Sequence, residues 1–191
     1  MAAIEIREYP VTARTIAEYC AIPMEFRVVS RYDPKGLIGG AEDWRLEEET
    51  VEPYEKNYDT VDNPIQWATQ FDTGKWKMFS AWHGGERIGG CVMAWDTPGV
   101  DMLEDRSDLA VVWDIRIHPN HRHNGIGSLL FSKAMEWAKE CGCTLLKVET
   151  QNINVPACRF YLRMGCELRV VRHGFYSILP EEVQLLWYRE L

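Results

Sequence analysis

The ten residues from His118 to Gly127, "HPNHRHNGIG", gather three histidines, an arginine and two glycines. Three imidazoles invite a zinc or copper site. The spacing argues against one. No two histidines sit four apart on a helix, Pro119 forces an extended or turned backbone, and the run holds no glutamate or cysteine; no metal is expected. Phosphate chemistry accounts for more of the residues. Arg122-x-x-Gly125-x-Gly127 places glycines where a chain turns tightly and lets a ligand approach its backbone. A helix starting there presents amides without internal acceptors, and its dipole adds partial positive charge. A pyrophosphate suits that environment. Neither G-x-G-x-x-G nor the Walker loop G-x-x-x-x-G-K-[ST] is present, since Ser128 follows Gly127 directly.

The elements around this run must position it. "LAVVWDIRI" reads as a strand that ends before Pro119. From Ile126, apolar residues recur at Leu129, Leu130, Ala134, Trp137, Ala138 and Cys141, and Gly142 follows as a stop signal. "TLLKVET" is a second strand. Strand, helix and strand with short connections predict a parallel pair with a right-handed crossover. A further helix carries Ala157, Phe160, Tyr161 and Met164 on one face, and "CELRVVRHGF" and "EVQLLWYREL" read as closing strands. Upstream, "AIEIRE" alternates as a strand, "TARTIAEYCAI" and "DNPIQWATQ" read as short helices, and "TPGVDMLEDRSD" as a loop. "KWKMFSAWHGGERIGGCVMAW" is a hairpin turning at His83-Gly84-Gly85-Glu86.

The bulk properties set bounds. A chain of 191 residues suits a single domain spanning 1–191. With 46% apolar and 26% charged residues, it is a soluble globular protein. No apolar run reaches the roughly 18 residues of a membrane span, and the N-terminus lacks an apolar signal core, so a cytoplasmic location and no membrane partner are expected. Six cysteines without a C-x-x-C pair read as packing residues. The net charge of −8 disfavours nucleic acid as a partner. From Ala41 to Asp62 there are nine acidic residues against two basic ones. That stretch is a solvated surface or an attractor for a cationic substrate.

With its context, the loop resembles that of the GNAT superfamily of acetyl-CoA-dependent N-acetyltransferases. "VVWDIRIHPNHRHNGIGSLLFSKAMEWAKECG" and "LLKVETQNINVPACRFYLRMGC", within 111–166, carry the resemblance. The flanks, "VETQNINVPACRFY", "VEPYEKNYD" and "FYSILPEEVQLLWYREL", are similar to the streptothricin acetyltransferase group. Trp113, where the group has an acidic residue, and Cys166, where it has phenylalanine, depart from it.

The resemblance implies an α/β fold whose mixed, mostly antiparallel central sheet holds a splayed parallel strand pair and is flanked by helices. It implies that the backbone of Ile115, Arg116 and Ile117 pairs with pantetheine. Arg122 and the amides of His123, Asn124, Gly125, Ile126, Gly127 and Ser128 would hold the pyrophosphate, with Asn154 near the cofactor and Tyr161 beside the thiol. Tyr161 is then the general acid, and Asp114 and Glu149 are both candidates for the base. A backbone amide of the Asp114–Ile117 strand would receive the oxyanion. Asn154 reads equally as a helix N-cap. Tyr54, Tyr58, Trp82 and Trp95 are candidates for an aromatic wall around an amine, joined by Asp114 and Glu149.

Three functions follow as expectations. The first is acetylation of a primary amine on a cationic small molecule, by resemblance streptothricin, which makes the chain an antibiotic-resistance enzyme. The second changes the acceptor to a protein lysine, a protein N-terminus or a polyamine. The third is a non-catalytic acetyl-CoA-binding module. A homodimer is compatible with all three.

Overall fold

The computed structural model describes residues 3–35 and 45–191. Residues 41–44 of the acidic stretch lie outside that description. The strands are β1 (Glu5–Pro10), β2 (Glu25–Lys35), β3 (Arg45–Asn57), β4 (Lys77–His83), β5 (Glu86–Trp95), β6 (Leu109–Ile117), β7 (Leu145–Gln151), β8 (Glu167–Arg172) and β9 (Gln184–Glu190). The helices are α1 (Ala13–Tyr19), α2 (Trp67–Gln70), α3 (Ile126–Glu140) and α4 (Val155–Arg163). β2 and β3 form a two-stranded ribbon, and the remaining strands follow the order β1-β4-β5-β6-β7-β9-β8. The sheet is mostly antiparallel with one parallel pair, β6 and β7. The carbonyl of Asp108 accepts from the amides of both Thr144 and Leu145, so β6 and β7 begin side by side.

The chain divides into two compact units. The first comprises Met1–Glu25, Asn57–Leu146 and Leu191; the second comprises Phe26–Lys56 and Lys147–Glu190. In the first, β4 and β5 form the expected hairpin, turning at Gly84 and Gly85, both with positive φ. One face of its sheet packs Met78, Val92, Ala94 and Val111 against Ile16 and Tyr19 of α1 and Trp67 of α2. α3 buries Ile126, Leu130, Phe131, Ala134 and Ala138. Each large side chain among these contributes about 1.5–3 kcal/mol of burial. Leu129, expected inside, is 47% exposed. At 3.6 residues per turn it lies about a third of a turn from the Ile126–Leu130–Ala134–Ala138 stripe, and Phe131 is buried instead.

In the second unit, β8 and β9 pair antiparallel. The inner face of α4 is Val155, Cys158 and Tyr161, whereas Ala157, Phe160 and Met164 are only partly covered. Asn152, 3% exposed, joins this unit's segments. Its side chain donates to the Tyr32 carbonyl and accepts from the Val183 amide, both at 2.9 Å.

All six cysteines are free; Cys91, Cys143, Cys158 and Cys166 are buried. Among the described residues no helix is long and apolar enough to cross a membrane, and no group of three or more His, Cys, Asp or Glu is placed to hold a metal ion.

Candidate active site

The loop between β6 and α3 is built as an open cap. The His118 amide bonds to the Ile88 carbonyl, and Pro119–His121 form one 3-10 turn. His123 and Gly125 then take positive φ, +64° and +77°. Gly125 is the N-cap of α3, and no side chain caps that end. The first helical bond runs from the Leu129 amide to the Gly125 carbonyl, so the amides of Ile126, Gly127 and Ser128 have no acceptor within the helix. A left-handed glycine followed by uncapped amides fits a pyrophosphate by the chemistry of its donors. Arg122 braces the loop through two backbone carbonyls. Its Nε donates to the Ile117 carbonyl at 3.1 Å and its Nη2 to the Glu25 carbonyl at 2.6 Å. Its partial burial lowers the guanidinium pKa. His118, His121 and His83 lie with ring centres 5.7 and 6.5 Å apart in sequence around His121.

β6 pairs with β5 through Ile115↔Cys91, Arg116↔Gly90 and Ile117↔Gly89. The register slips between Val92 and Met93, which leaves Trp113 as an extra residue on β6. Trp113 joins the aromatic cluster of Trp67, Phe71 and Trp76, at 6.3, 5.1 and 4.9 Å between ring centres. Asp114 meets Tyr19 and Arg116. Arg116 bonds both Asp114 oxygens, Nε to Oδ1 at 2.9 Å and Nη2 to Oδ2 at 2.7 Å. Its Nη1 donates to Asp59 Oδ1 and to the Ile22 carbonyl, both at 2.9 Å. The Tyr19 hydroxyl donates to Asp114 Oδ1, and the guanidinium lies 4.9 Å from the Tyr19 ring centre. Burial, with the Asp114 charge, pushes the Tyr19 phenol well above its ordinary pKa, so it remains a donor. Burial opposes the charge on Arg116, but Asp114 outweighs it and keeps the guanidinium protonated. The sequence reading used only the backbone of Arg116. Its side chain, with Tyr19 and Asp59, is a network that no local pattern announces, because its members are 57 to 97 positions apart along the chain for Arg116–Asp59 and Arg116–Tyr19 respectively.

Glu149 belongs to the second unit and has different company. Its Oε1 accepts from the Tyr176 hydroxyl at 2.6 Å and from Gln151 Nε2 at 3.4 Å, and its Oε2 from Gln184 Nε2. Tyr176, Gln151 and Gln184 were not among the sequence candidates. Tyr161 is buried on α4, its ring centre 5.1 Å from that of Phe160. Asn154 caps α4, accepting from the Ala157 amide at 3.2 Å.

The aromatic candidates scatter. Tyr54 is 44% exposed on β3, and Tyr58 opens a 3-10 turn. The Trp82 ring already carries two cations, Arg7 at 4.8 Å and Arg87 at 5.1 Å. Trp95 donates to the Ser107 carbonyl. It also lines, with Trp76, Trp137 and Lys75, an open cleft of about 450 Å³ that contains none of the loop residues.

The profile of the acetyltransferase (GNAT) family matches residues 41–166. Streptothricin acetyltransferase A of Bacillus subtilis (strain 168) is 38% identical over 81 residues, 41% of this chain; the match spans 47% of that relative, about half its length. A streptothricin acetyltransferase of Escherichia coli is 26% identical over 148 residues, covering 76% of this chain and 75% of that protein. The fold is shared with a Bacillus anthracis protein assigned as a streptothricin acetyltransferase and crystallised with acetyl coenzyme A. The two are 24% identical with a TM-score of 0.78, over 99% of this chain and 100% of that one. With the family profile spanning well over half of its length, this chain belongs to the acetyltransferase (GNAT) family.

Proposed function

We propose that this protein transfers the acetyl group of acetyl-CoA to a primary amine of a cationic small molecule, with streptothricin as the acceptor. The observation that carries the reading is the uncapped start of α3 behind the left-handed Gly125, the donor arrangement that a pyrophosphate requires. The streptothricin acetyltransferases among its relatives support the acceptor.

The chemistry sets a requirement for a base. An alkylammonium of pKa about 10.4 is neutral in roughly one molecule in 2,500 at pH 7, a deficit of about 4.6 kcal/mol. Of the two carboxylates, Glu149 is the better base. Both Asp114 oxygens are bonded by Arg116, which would have to be displaced or left unpaired when Asp114 took a proton. Glu149 is held by an uncharged phenol and two amides. In the proposed step Glu149, directly or through one water, takes a proton from the ammonium and passes it to solvent; the neutral nitrogen then forms the new C–N bond and gives its second proton to Glu149. The oxyanion that forms requires a preorganised hydrogen-bond donor. The C–S bond then breaks, the departing thiolate takes the Tyr161 phenol proton, and Tyr161 regains a proton from solvent as Glu149 releases its own. The products are the N-acetylated amine and coenzyme A thiol.

The test is thiol release on mixing the protein with acetyl-CoA and a panel of amines. Release with streptothricin supports the reading; release with peptides alone overturns the acceptor, and no release with any amine overturns the activity.

A further inference from the structure

We propose that Tyr176 is a positioning residue for this reaction: its hydroxyl, oriented by Gln151, fixes the Glu149 carboxylate for proton transfer. The inference rests on the acetyl-transfer reading above.

Tyr176 lies in the 173–183 segment between β8 and β9. Its surroundings there face solvent: Phe175 is 50% exposed and Ile178 70%. Tyr176 is partly buried, against Glu149. The hydrogen bonds fix where its proton goes. Gln151 Nε2 donates to the phenol oxygen at 3.1 Å, so the phenol's own proton is free to point to Glu149 Oε1, 2.6 Å away. Gln184 holds the other carboxylate oxygen. Each oxygen of Glu149 therefore has at least one donor from outside its own strand, one from the loop and one from β9. Burial, with the Glu149 charge, pushes the Tyr176 phenol far above its ordinary pKa, so it stays protonated.

The charged groups nearby are engaged elsewhere. Lys147, on the same face of β7, lies 5.6 Å from the Tyr188 ring centre. Arg172 of β8 reaches Gln184 Oε1 at 3.5 Å. Glu182, which also acts on Tyr176 electrostatically, is paired with Lys56 of β3. The groups hydrogen-bonded to Glu149 are neutral. Such donors favour the carboxylate over the acid, yet the carboxylate can accept a proton without leaving a buried cation unpaired.

Tyr176→Phe keeps the ring and removes one O–H. In Tyr176→Phe, kcat with streptothricin is expected to fall about tenfold, most steeply on the acidic side of its pH profile because a donor to the charged form is gone, with KM for acetyl-CoA unchanged. Gln151→Met removes the bond that orients the phenol together with its own 3.4 Å bond to Glu149; it should lower kcat in the same way and serves if Tyr176→Phe does not fold. An unchanged kcat, or a rate loss equal at every pH, overturns the positioning role alone. A wild-type protein that acetylates no amine overturns the reaction on which the role depends.

Discussion

Asp114 and Glu149 are the same kind of group in similar positions, each towards the end of a strand, and their surroundings differ in kind. Asp114 has a side chain only 9% exposed and shares both oxygens with Arg116, which is 2% exposed. Glu149 receives three hydrogen bonds, all from uncharged groups. A buried ion pair stabilises largely because breaking it leaves the other charge stranded. A carboxylate in that situation is tied to the fold. Neutral donors orient a carboxylate and leave it able to change charge. On the proposed reaction, the difference between a structural and a chemical acid lies in the partner.

The largest effect should separate the two. Glu149→Gln is expected to lower kcat by about 10²–10⁴-fold, the range for loss of a general base, with little change in unfolding midpoint. Steady-state rates with streptothricin and acetyl-CoA, beside a urea melt, check both halves. If Glu149→Gln retains full activity while a folded Asp114→Asn is inactive, the assignments are reversed.

Asp114→Ala should act on stability. It leaves the Arg116 guanidinium buried against the Tyr19 ring with its bonds to Asp59 and the Ile22 carbonyl. The expected cost is about 3–5 kcal/mol, read as a fall in the urea midpoint. A loss below about 1 kcal/mol would show that the network adjusts easily and that Asp114 is free to do chemistry.

The same contrast explains what the sequence made legible. The β6–α3–β7–α4 core was readable because its signals are local: "LAVVWDIRI" coincides with β6, the Ile126 stripe with α3, and Gly142, at φ +81°, ends the helix turn. The glycine turn between β6 and α3 was readable for the same reason. The β2–β3 ribbon was not. "RLEEETVEPYEKN" carries too many charges to show an apolar alternation, and its acidity concealed a strand. Nor could the sequence rank the carboxylates. Tyr19 is 95 positions from Asp114, and Gln184 is 35 from Glu149; only folding reveals which side chains they meet.

A smaller effect tests the loop. Gly125→Val places a β-branched residue at φ +77°, which costs about 1–2 kcal/mol of backbone strain. A Cβ at Gly125 meets no protein atom within 4 Å, so the protein itself offers no steric objection. Calorimetry with acetyl-CoA is expected to show weaker binding by tenfold or more. Unaltered affinity in a folded variant would remove the phosphates from this loop.

Asn154 permits the finest distinction, because one side chain is asked to do one job or two. It caps α4 through the Ala157 amide, and loss of such a cap costs about 1 kcal/mol. Asn154→Ala should therefore lower stability by about that amount. Asn154→Asp retains an acceptor for the Ala157 amide and adds a negative charge beside the helix start, which favours the cap. If Asn154 also touches coenzyme A, the same charge repels a phosphorylated ligand. The expected outcome is that Asn154→Asp keeps the melting temperature of the parent protein and binds acetyl-CoA several-fold more weakly. An aspartate variant with both stability and affinity intact would assign Asn154 to the helix alone, and would confine the coenzyme contacts to the amides at the start of α3.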